Sequence, residues 1–191
     1  LAVTIGILMT GAFHEDGLAD TVDALVGGWT VEDRLRILKD SRHGTYGVTA
    51  LVTSIAIRIL SLGAICDISL KTGAVATICA HLIARVLSVF SMLVAPRSPH
   101  PGLGSDYLSQ LNRFACWRGL TIGTIVAVAL AGWSSLTALA IGVICSILIV
   151  IWATKKIGGI SGDILGAIEQ VGEIVVFVVF AAMVTVYPIW W

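Results

Sequence analysis

The amino-acid sequence predicts an all-α, polytopic integral membrane protein, a helical bundle with about six transmembrane segments. The chain has 191 residues, of which 57% are hydrophobic and only 13% are charged, and its mean hydropathy is +0.96. Soluble domains carry about 25% charged residues, so this chain holds about half of the charge expected of one. We therefore expect residues 1–191 to form a single membrane-embedded domain.

The transmembrane segments are predicted from runs of apolar residues. The first run, 1–13, is shorter than the roughly 20 residues that span a bilayer, and it lacks the basic region of a signal peptide. Since the chain also begins with Leu, we expect its natural N-terminus to be missing. A W-S-S break at 133–135 divides two later runs, and Pro188 with the tryptophans at 190–191 closes the last one as an interfacial belt. The apolar runs are 1–13, 48–66, 72–95, 119–132, 136–153 and 174–191.

Three polar stretches, 14–47, 96–118 and 154–173, separate these runs. If the runs alternate across the bilayer, all three stretches lie on the same side. Together they hold every Lys and Arg except Arg58, Lys71 and Arg85, and every acid except Asp67. The positive-inside rule assigns that side to the cytoplasm, so we expect a cytoplasmic (inner) membrane protein with its polar face inward. The net charge of zero argues against a nucleic-acid partner.

The first polar stretch opens with an acidic helix. Asp16, Asp20 and Asp23 are spaced i, i+4 and i+7, which places three carboxylates on one helical face. Like charges at this spacing repel unless a cation lies among them. Carboxylate oxygens suit a hard divalent cation such as Mg²⁺. These three aspartates are therefore the candidate metal ligands.

The same stretch continues with K-D-S-R-H-G-T-Y-G at 39–47. Its cations can bind phosphate oxygens, and its glycines let backbone amides approach an anion. An alternative interpretation is a solvated interfacial loop. Asp40 is expected either to orient Arg42 or to complete the metal shell. The candidate residues are Lys39 and Arg42 for stabilising phosphate charge, and Asp40, Ser41, Thr45 and Tyr46 for binding substrate.

The third stretch carries K-K-I-G-G-I-S-G-D at 155–163. Asp163 is a candidate for the metal shell or for a general base, and His14 is the other candidate base. Gly159 and Gly162 are candidate substrate-binding positions beside Asp163. The alternative is a flexible hinge loop followed by an amphipathic helix, in which Glu169 is spaced i, i+4 from a second glutamate.

Charged residues inside the apolar runs are costly and usually pair with an acid or a ligand. Arg85 can either bind substrate within the bundle or extend its side chain to the interface, and the sequence favours neither. For Arg58 we expect extension to the interface. His81 is expected to be a core histidine with a partner. The four cysteines are expected to be buried small hydrophobes.

Three motifs in order resemble the cobalamin synthase family. They are H-E-D-G-L-A-D-T-V-D-A-L (14–25), K-D-S-R-H-G-T-Y-G (39–47) and K-I-G-G-I-S-G-D-I-L-G-A (156–167). A weaker likeness covers Ala95 to Gly104. Glu15 and Ala24 depart from the family pattern, which often has Leu and Gly there, and neither departure removes a carboxylate. Family members carry additional residues before this chain's first position.

The resemblance implies a Mg²⁺-dependent adenosylcobinamide-GDP ribazoletransferase of the phosphotransferase class. Such an enzyme joins adenosylcobinamide-GDP to alpha-ribazole, or to its 5′-phosphate, and releases GMP with adenosylcobalamin or its phosphate. An enzyme like the CDP-alcohol phosphatidyltransferases is the alternative, although their D-G-x-x-A-R signature is absent. A small-solute transporter is disfavoured, since transporters place ionisable residues near the bilayer midplane. The sequence leaves open whether the chain forms a homo-oligomer.

Overall fold

The computed structural model describes residues 1–96 and 111–185, and within these residues the chain is helical without strands. The prediction of an all-α fold is confirmed. Most of the weaker motif at 95–104, together with Pro188, Trp190 and Trp191, lies outside the described residues. The helices are α1 (Ala2–Thr10), α2 (Phe13–Val22), α3 (Val31–Ile37), α4 (Thr45–Ile68), α5 (Leu70–Val94), α6 (Arg113–Ile157) and α7 (Gly162–Met183), with a π-helical turn at Asp23–Gly27.

Four described helices, α4, α5, α6 and α7, are long and apolar enough to cross a membrane. Many of their large apolar side chains are exposed, as expected where a helix faces lipid. The chain is therefore a multi-pass membrane bundle. The first apolar run forms only the nine-residue helix α1. The count of about six spans stays a prediction.

Helix α6 is a helical hairpin. The backbone leaves helical geometry at Ala131 (φ −142°, ψ 15°) and Gly132 (φ 51°, ψ −122°). The chain reverses past this point. The evidence is that the Ser135 hydroxyl donates a hydrogen bond of 2.6 Å to the carbonyl of Ala127. In a continuous helix, residues eight apart would be separated by about 12 Å. The two arms, 113–130 and 133–157, correspond to the two apolar runs that the sequence separates at 133–135.

The polar stretches meet at one end of the bundle. Arg34 in α3 donates a hydrogen bond of 3.4 Å to the carbonyl of Lys156 at the end of α6. Ile160, in the connection between α6 and α7, donates a backbone hydrogen bond of 3.2 Å to Pro96. These contacts link the first polar stretch to the third and the third to the second. The predicted convergence of the three stretches is thus seen in their described parts.

Helix α7 lies at the centre and packs against α2, α4, α5 and α6. Glycines allow the closest approaches, as is common between membrane helices. A Cβ added at Gly172 would lie 3.0 Å from the Cα of Ala84 in α5. A Cβ added at Gly17 in α2 would lie 2.9 Å from the backbone oxygen of Asp163 in α7. The acidic helix α2 therefore lies almost in backbone contact with the start of α7.

This close approach predicts that Gly17→Ala destabilises the protein. The added methyl meets backbone, which cannot move aside as a flexible side chain can, so we expect a loss of about 1–3 kcal/mol. Gly63→Ala in α4 is the matched control, since no described heavy atom lies within 4 Å of its added Cβ. Thermal unfolding in detergent measures both. Equal unfolding temperatures for the two variants would contradict the predicted contact.

Candidate functional site

Helix α2 is a short segment with an irregular backbone at both ends. Gly11 (φ 62°) and Ala12 (φ 59°) both adopt left-handed conformations, which end α1 and start α2. At its other end α2 passes into the π-helical turn at Asp23–Gly27. π-Turns are rare and frequently occur at functional sites.

Asp16 and Asp20 meet His43 on the exposed side of α2. The imidazole nitrogens of His43 lie 3.7 Å from Asp16 Oδ1 and 3.5 Å from Asp20 Oδ1. One ligand atom from each of the three residues lies within 4.8 Å of the others. Side-chain exposure is 60% for Asp16 and 13% for Asp20, so the group is open on one side only. Such a set of oxygen and nitrogen donors could hold a divalent cation.

Asp163 joins these residues from α7. Burial, followed by the charges of Asp16 and Asp163, raises the pKa of Asp20 from 3.8 to about 6, while His43 opposes the shift. Asp163 also accepts a hydrogen bond of 3.3 Å from the hydroxyl of Ser161. The structure therefore brings acids from the first and third polar stretches into one cluster, in which His43 is the cation that opposes the shift of Asp20 among the described residues.

Asp23 contacts the start of α4. Its two carboxylate oxygens accept backbone hydrogen bonds of 2.6 Å from Gly44 and 2.9 Å from Gly47. Both amides belong to the N-terminus of α4, where a negative charge is favoured by the helix dipole. Asp23 therefore caps this helix, and its assignment as a metal ligand stays a prediction. The anion approached by these glycine amides is the protein's own carboxylate.

The segment after α3 contains an ion pair between Arg42 and Asp40. Arg42 donates hydrogen bonds of 2.9 and 2.7 Å to the two oxygens of Asp40. Beside this guanidinium the pKa of Asp40 falls to about 2, and the pKa of Arg42 rises. Of the two roles expected for Asp40, the structure therefore favours the orientation of Arg42.

Two adjoining clefts surround this ion pair. One lies between the π-turn and α4, and the other opens beside the end of α3. The remaining candidates of the segment line them, so the structure brings these candidates together beside the acidic cluster. The first cleft includes Asp23, Asp40, Arg42, His43, Thr45 and Tyr46, and the second includes Arg36, Lys39, Asp40, Ser41 and Arg42.

The two glycine candidates flank the start of α7. Gly159 is buried in the connection from α6, and Gly162 is the first residue of α7. No described heavy atom lies within 4 Å of a Cβ added at Gly162. The first turn of α7, which carries Asp163, is therefore sterically open at this position.

Arg58 lies in a buried ion-pair cluster. Its guanidinium lies 3.0 Å from Glu15 of α2 and 2.8 Å from Glu173 of α7, and only 2% of the residue is exposed. The expectation that Arg58 extends to the interface was wrong, because these carboxylates neutralise it in place. His81 has the partner expected of a core histidine, since its Nδ1 lies 2.8 Å from Glu173.

A second ion-pair group connects His14 and the exposed Arg85 through one buried carboxylate. Glu169 of α7 lies 2.6 Å from His14 Nε2 and 2.8 Å from Arg85 Nη1. Arg85, a candidate for binding substrate, is thus engaged with Glu169. His14 lies beside the start of α7, because its backbone is 3.4 Å from a Cβ added at Gly166.

The sequence interpretation missed the roles of His43, Glu15, Glu169 and Glu173. The sequence could have indicated a role for His43, because this residue lies within the 39–47 segment beside the predicted cations. The i, i+4 spacing of Glu169 and Glu173 also marked one face of α7. Their partners lie on three other helices, and spacing along a single helix does not identify them.

The raised pKa of Asp20 predicts how the cation-free protein responds to pH. The folded state binds this proton more tightly than the unfolded state, so the chain loses stability as pH rises from 3.8, the ordinary pKa of aspartate, to about 6. In EDTA, Asp20→Asn should therefore unfold at a higher temperature than the unmodified chain at about pH 7.5. The difference in unfolding temperature should shrink as pH falls below about 6, and it should largely disappear near pH 3.8. A difference that does not vary with pH would contradict the assigned environment.

Comparison with known proteins gives a consistent result. Residues 1–181 match the family model described as cobalamin-5-phosphate synthase. A Bradyrhizobium diazoefficiens protein named adenosylcobinamide-GDP ribazoletransferase is 42% identical over 184 residues, which cover 95% of this chain and 69% of the relative. Proteins of the same name from Shewanella putrefaciens and Shewanella baltica are 35% and 36% identical, and the alignments cover 94% of this chain and 69% of each relative. No solved structure matches the chain.

Proposed function

The chain belongs to the cobalamin-5-phosphate synthase family, and we propose on this basis that it is an adenosylcobinamide-GDP ribazoletransferase. The reaction joins adenosylcobinamide-GDP to alpha-ribazole or its 5′-phosphate. The products are GMP and adenosylcobalamin or its 5′-phosphate, which completes the nucleotide loop. The enzyme is of the phosphotransferase class.

One observation supports this proposal above the others. Acids from α2 and α7 converge beside a cationic segment at the polar end of a membrane bundle. A phosphoryl-transfer site needs positioned charge around the phosphates and offers little other chemistry. The acidic cluster and the segment at 39–46 provide groups of both kinds within one region.

The acidic cluster fits Mg²⁺. Asp16, Asp20 and Asp163 offer carboxylate oxygens, the ligands that this cation prefers, and burial together with the charges of Asp16 and Asp163 raises the pKa of Asp20. We propose that these three residues hold the cation and that His43 lies against them. When bound, Mg²⁺ would neutralise charge on the pyrophosphate. Asp23 supports the site indirectly, by fixing the N-terminus of α4.

The chain's own residues then have separate roles in the transfer. A ribazole hydroxyl attacks the phosphorus that bears the cobinamide, a new P–O bond forms, and the bond to GMP breaks. Arg42, held by Asp40, and the nearby Lys39 stabilise the charge on the phosphates. The hydroxyl proton passes to a base, for which His14 and Asp163 are the candidates.

We place this site on the cytoplasmic side of the inner membrane. Arg34 of the first polar stretch donates a hydrogen bond to the carbonyl of Lys156 in the third, so basic residues of both stretches share the end of the bundle that the positive-inside rule assigns to the cytoplasm. Both substrates carry polar groups that could reach such a face from the cytosol.

The experiment that tests the function is an assay of GMP release by the protein in membranes. GMP release should require adenosylcobinamide-GDP, alpha-ribazole or its phosphate, and Mg²⁺, and it should stop in EDTA. A corrinoid product should form in equal amount. GMP release without the ribazole substrate, or CMP release from a CDP-linked lipid and an alcohol, would contradict the proposal.

A further inference from the structure

Helix α2 carries the acids of the proposed cation site, yet its backbone does little to fix its rotation. It has ten residues, and it is bounded by the left-handed Ala12 and by the π-turn. The helical segment ends at Gly27, at the end of the π-turn. Rotating α2 by one residue, about 100°, would turn Asp16 and Asp20 away from Asp163. Something other than backbone continuity must therefore set this rotation.

Arg58 supplies one such contact, in addition to the His14–Glu169 pair and the close approach of Gly17 to α7. It stands on α4 and bridges Glu15 on α2 to Glu173 on α7, at 3.0 and 2.8 Å. All three side chains are buried, with residue exposures of 2%, 6% and 3% respectively. Glu15 immediately precedes Asp16, so the position of its carboxylate determines the direction in which Asp16 leaves the helix.

A buried ion pair tolerates few geometries. Separating it leaves a charge without a partner in a medium of low polarity, at a cost of about 3–5 kcal/mol. Rotation or sliding of α2 would separate Glu15 from Arg58 and incur this cost. Buried polar groups fix register in helical assemblies by the same mechanism. The ion pair therefore selects one rotation of α2 among those that packing alone would allow.

We propose that Arg58 is a positioning residue for the cation site and acts through Glu15. It holds α2 in the rotation at which Asp16 and Asp20 face Asp163, without itself touching cation or substrate. The proposal rests on the proposed cation site. It predicts that breaking the link to α2 weakens cation binding, whereas breaking the link to α7 costs stability with less effect on the cation.

Glu15→Gln and Glu173→Gln form a matched pair for this test, since each removes one charge that faces Arg58. Mn²⁺ is the probe, measured by electron paramagnetic resonance on the full chain in detergent, with thermal unfolding in parallel. We expect Glu15→Gln to weaken Mn²⁺ binding by about 10-fold or more, as loss of an orienting partner does in metal sites. Glu173→Gln should weaken it by less than about 3-fold at a similar loss of unfolding temperature.

A third variant distinguishes the effect on the orientation of α2 from the effect on folding stability. It also provides the test if either single variant fails to fold. Combining Arg58→Met with Glu15→Leu and Glu173→Leu replaces all three buried charges with apolar side chains of similar size, and clusters replaced in this way retain stability. It should unfold near the original temperature and still bind Mn²⁺ weakly. Binding at the original affinity, or equal weakening in the two single variants, overturns the positioning role. An unmodified chain that binds no Mn²⁺ overturns the cation site as well.

Discussion

Asp20→Asn is expected to reduce the transfer rate at saturating Mg²⁺ by at least about 10²-fold. Of the two acids that lie near His43, Asp20 is less exposed than Asp16. The charges of Asp16 and Asp163 both raise the pKa of Asp20. Asparagine has nearly the same shape but removes one full negative charge from the proposed cation site. The rate of GMP release from adenosylcobinamide-GDP measures the effect, and the unfolding temperature in detergent confirms that the fold is retained.

Asp67→Asn is the matched control for this change. Asp67 is an exposed carboxylate near the last residue of α4, at the opposite end of that helix from Gly44 and His43. It should leave both the rate and its Mg²⁺ dependence unchanged. If Asp20→Asn retained the full rate with its usual Mg²⁺ dependence, Asp20 could not be a ligand.

Arg58→Met is expected to cost about 3–5 kcal/mol of folding free energy. Methionine fills much of the same volume, but it leaves Glu15 without its cation and Glu173 with only His81 as a partner inside the bundle. The penalty comes from the charge of these two buried carboxylates, because the apolar part of the Arg58 side chain is replaced. Unfolding by SDS titration in mixed micelles measures the loss.

Arg36→Met provides the comparison. Arg36 also pairs with an acid, Asp33, at 3.4 Å, but this pair is exposed. Exposed pairs contribute about 0–1 kcal/mol, so this variant should unfold close to the unmodified chain. A loss of similar size in both variants would show that the burial of the Arg58 cluster has been overestimated.

The architecture followed from hydropathy and charge alone. The long apolar runs predicted the bundle, and the short break at 133–135 predicted the hairpin of α6. The three polar stretches, which hold nearly all charged residues, predicted the common polar end. These features depend on the solvent that each segment prefers, which composition reports directly. The one feature of this kind left open is the count of spans.

The members of the acidic cluster were harder to predict. The i, i+7 spacing places Asp23 on the helical face of Asp16, but it does not show which groups of other helices will contact each carboxylate. The amides of Gly44 and Gly47 bind the carboxylate of Asp23. Asp163 joins Asp20 from α7, and its position depends on the packing of α7 against Gly17.

The buried ion pairs were also beyond reach of the sequence. Arg58 has no acid within helical spacing on α4, so extension to the interface was the reasonable expectation. Its partners come from α2 and α7, and only the three-dimensional packing brings them together. Pairings between distant segments are set by tertiary contacts, which a single sequence does not contain.

The most direct test of a cation site shared by α2 and α7 is a Mn²⁺ titration of the full chain and of Asp163→Asn, followed by electron paramagnetic resonance. We expect the full chain to bind one Mn²⁺ that Mg²⁺ displaces, and Asp163→Asn to bind it at least about 10-fold more weakly. Equal affinity in the two proteins would contradict a site built from both helices.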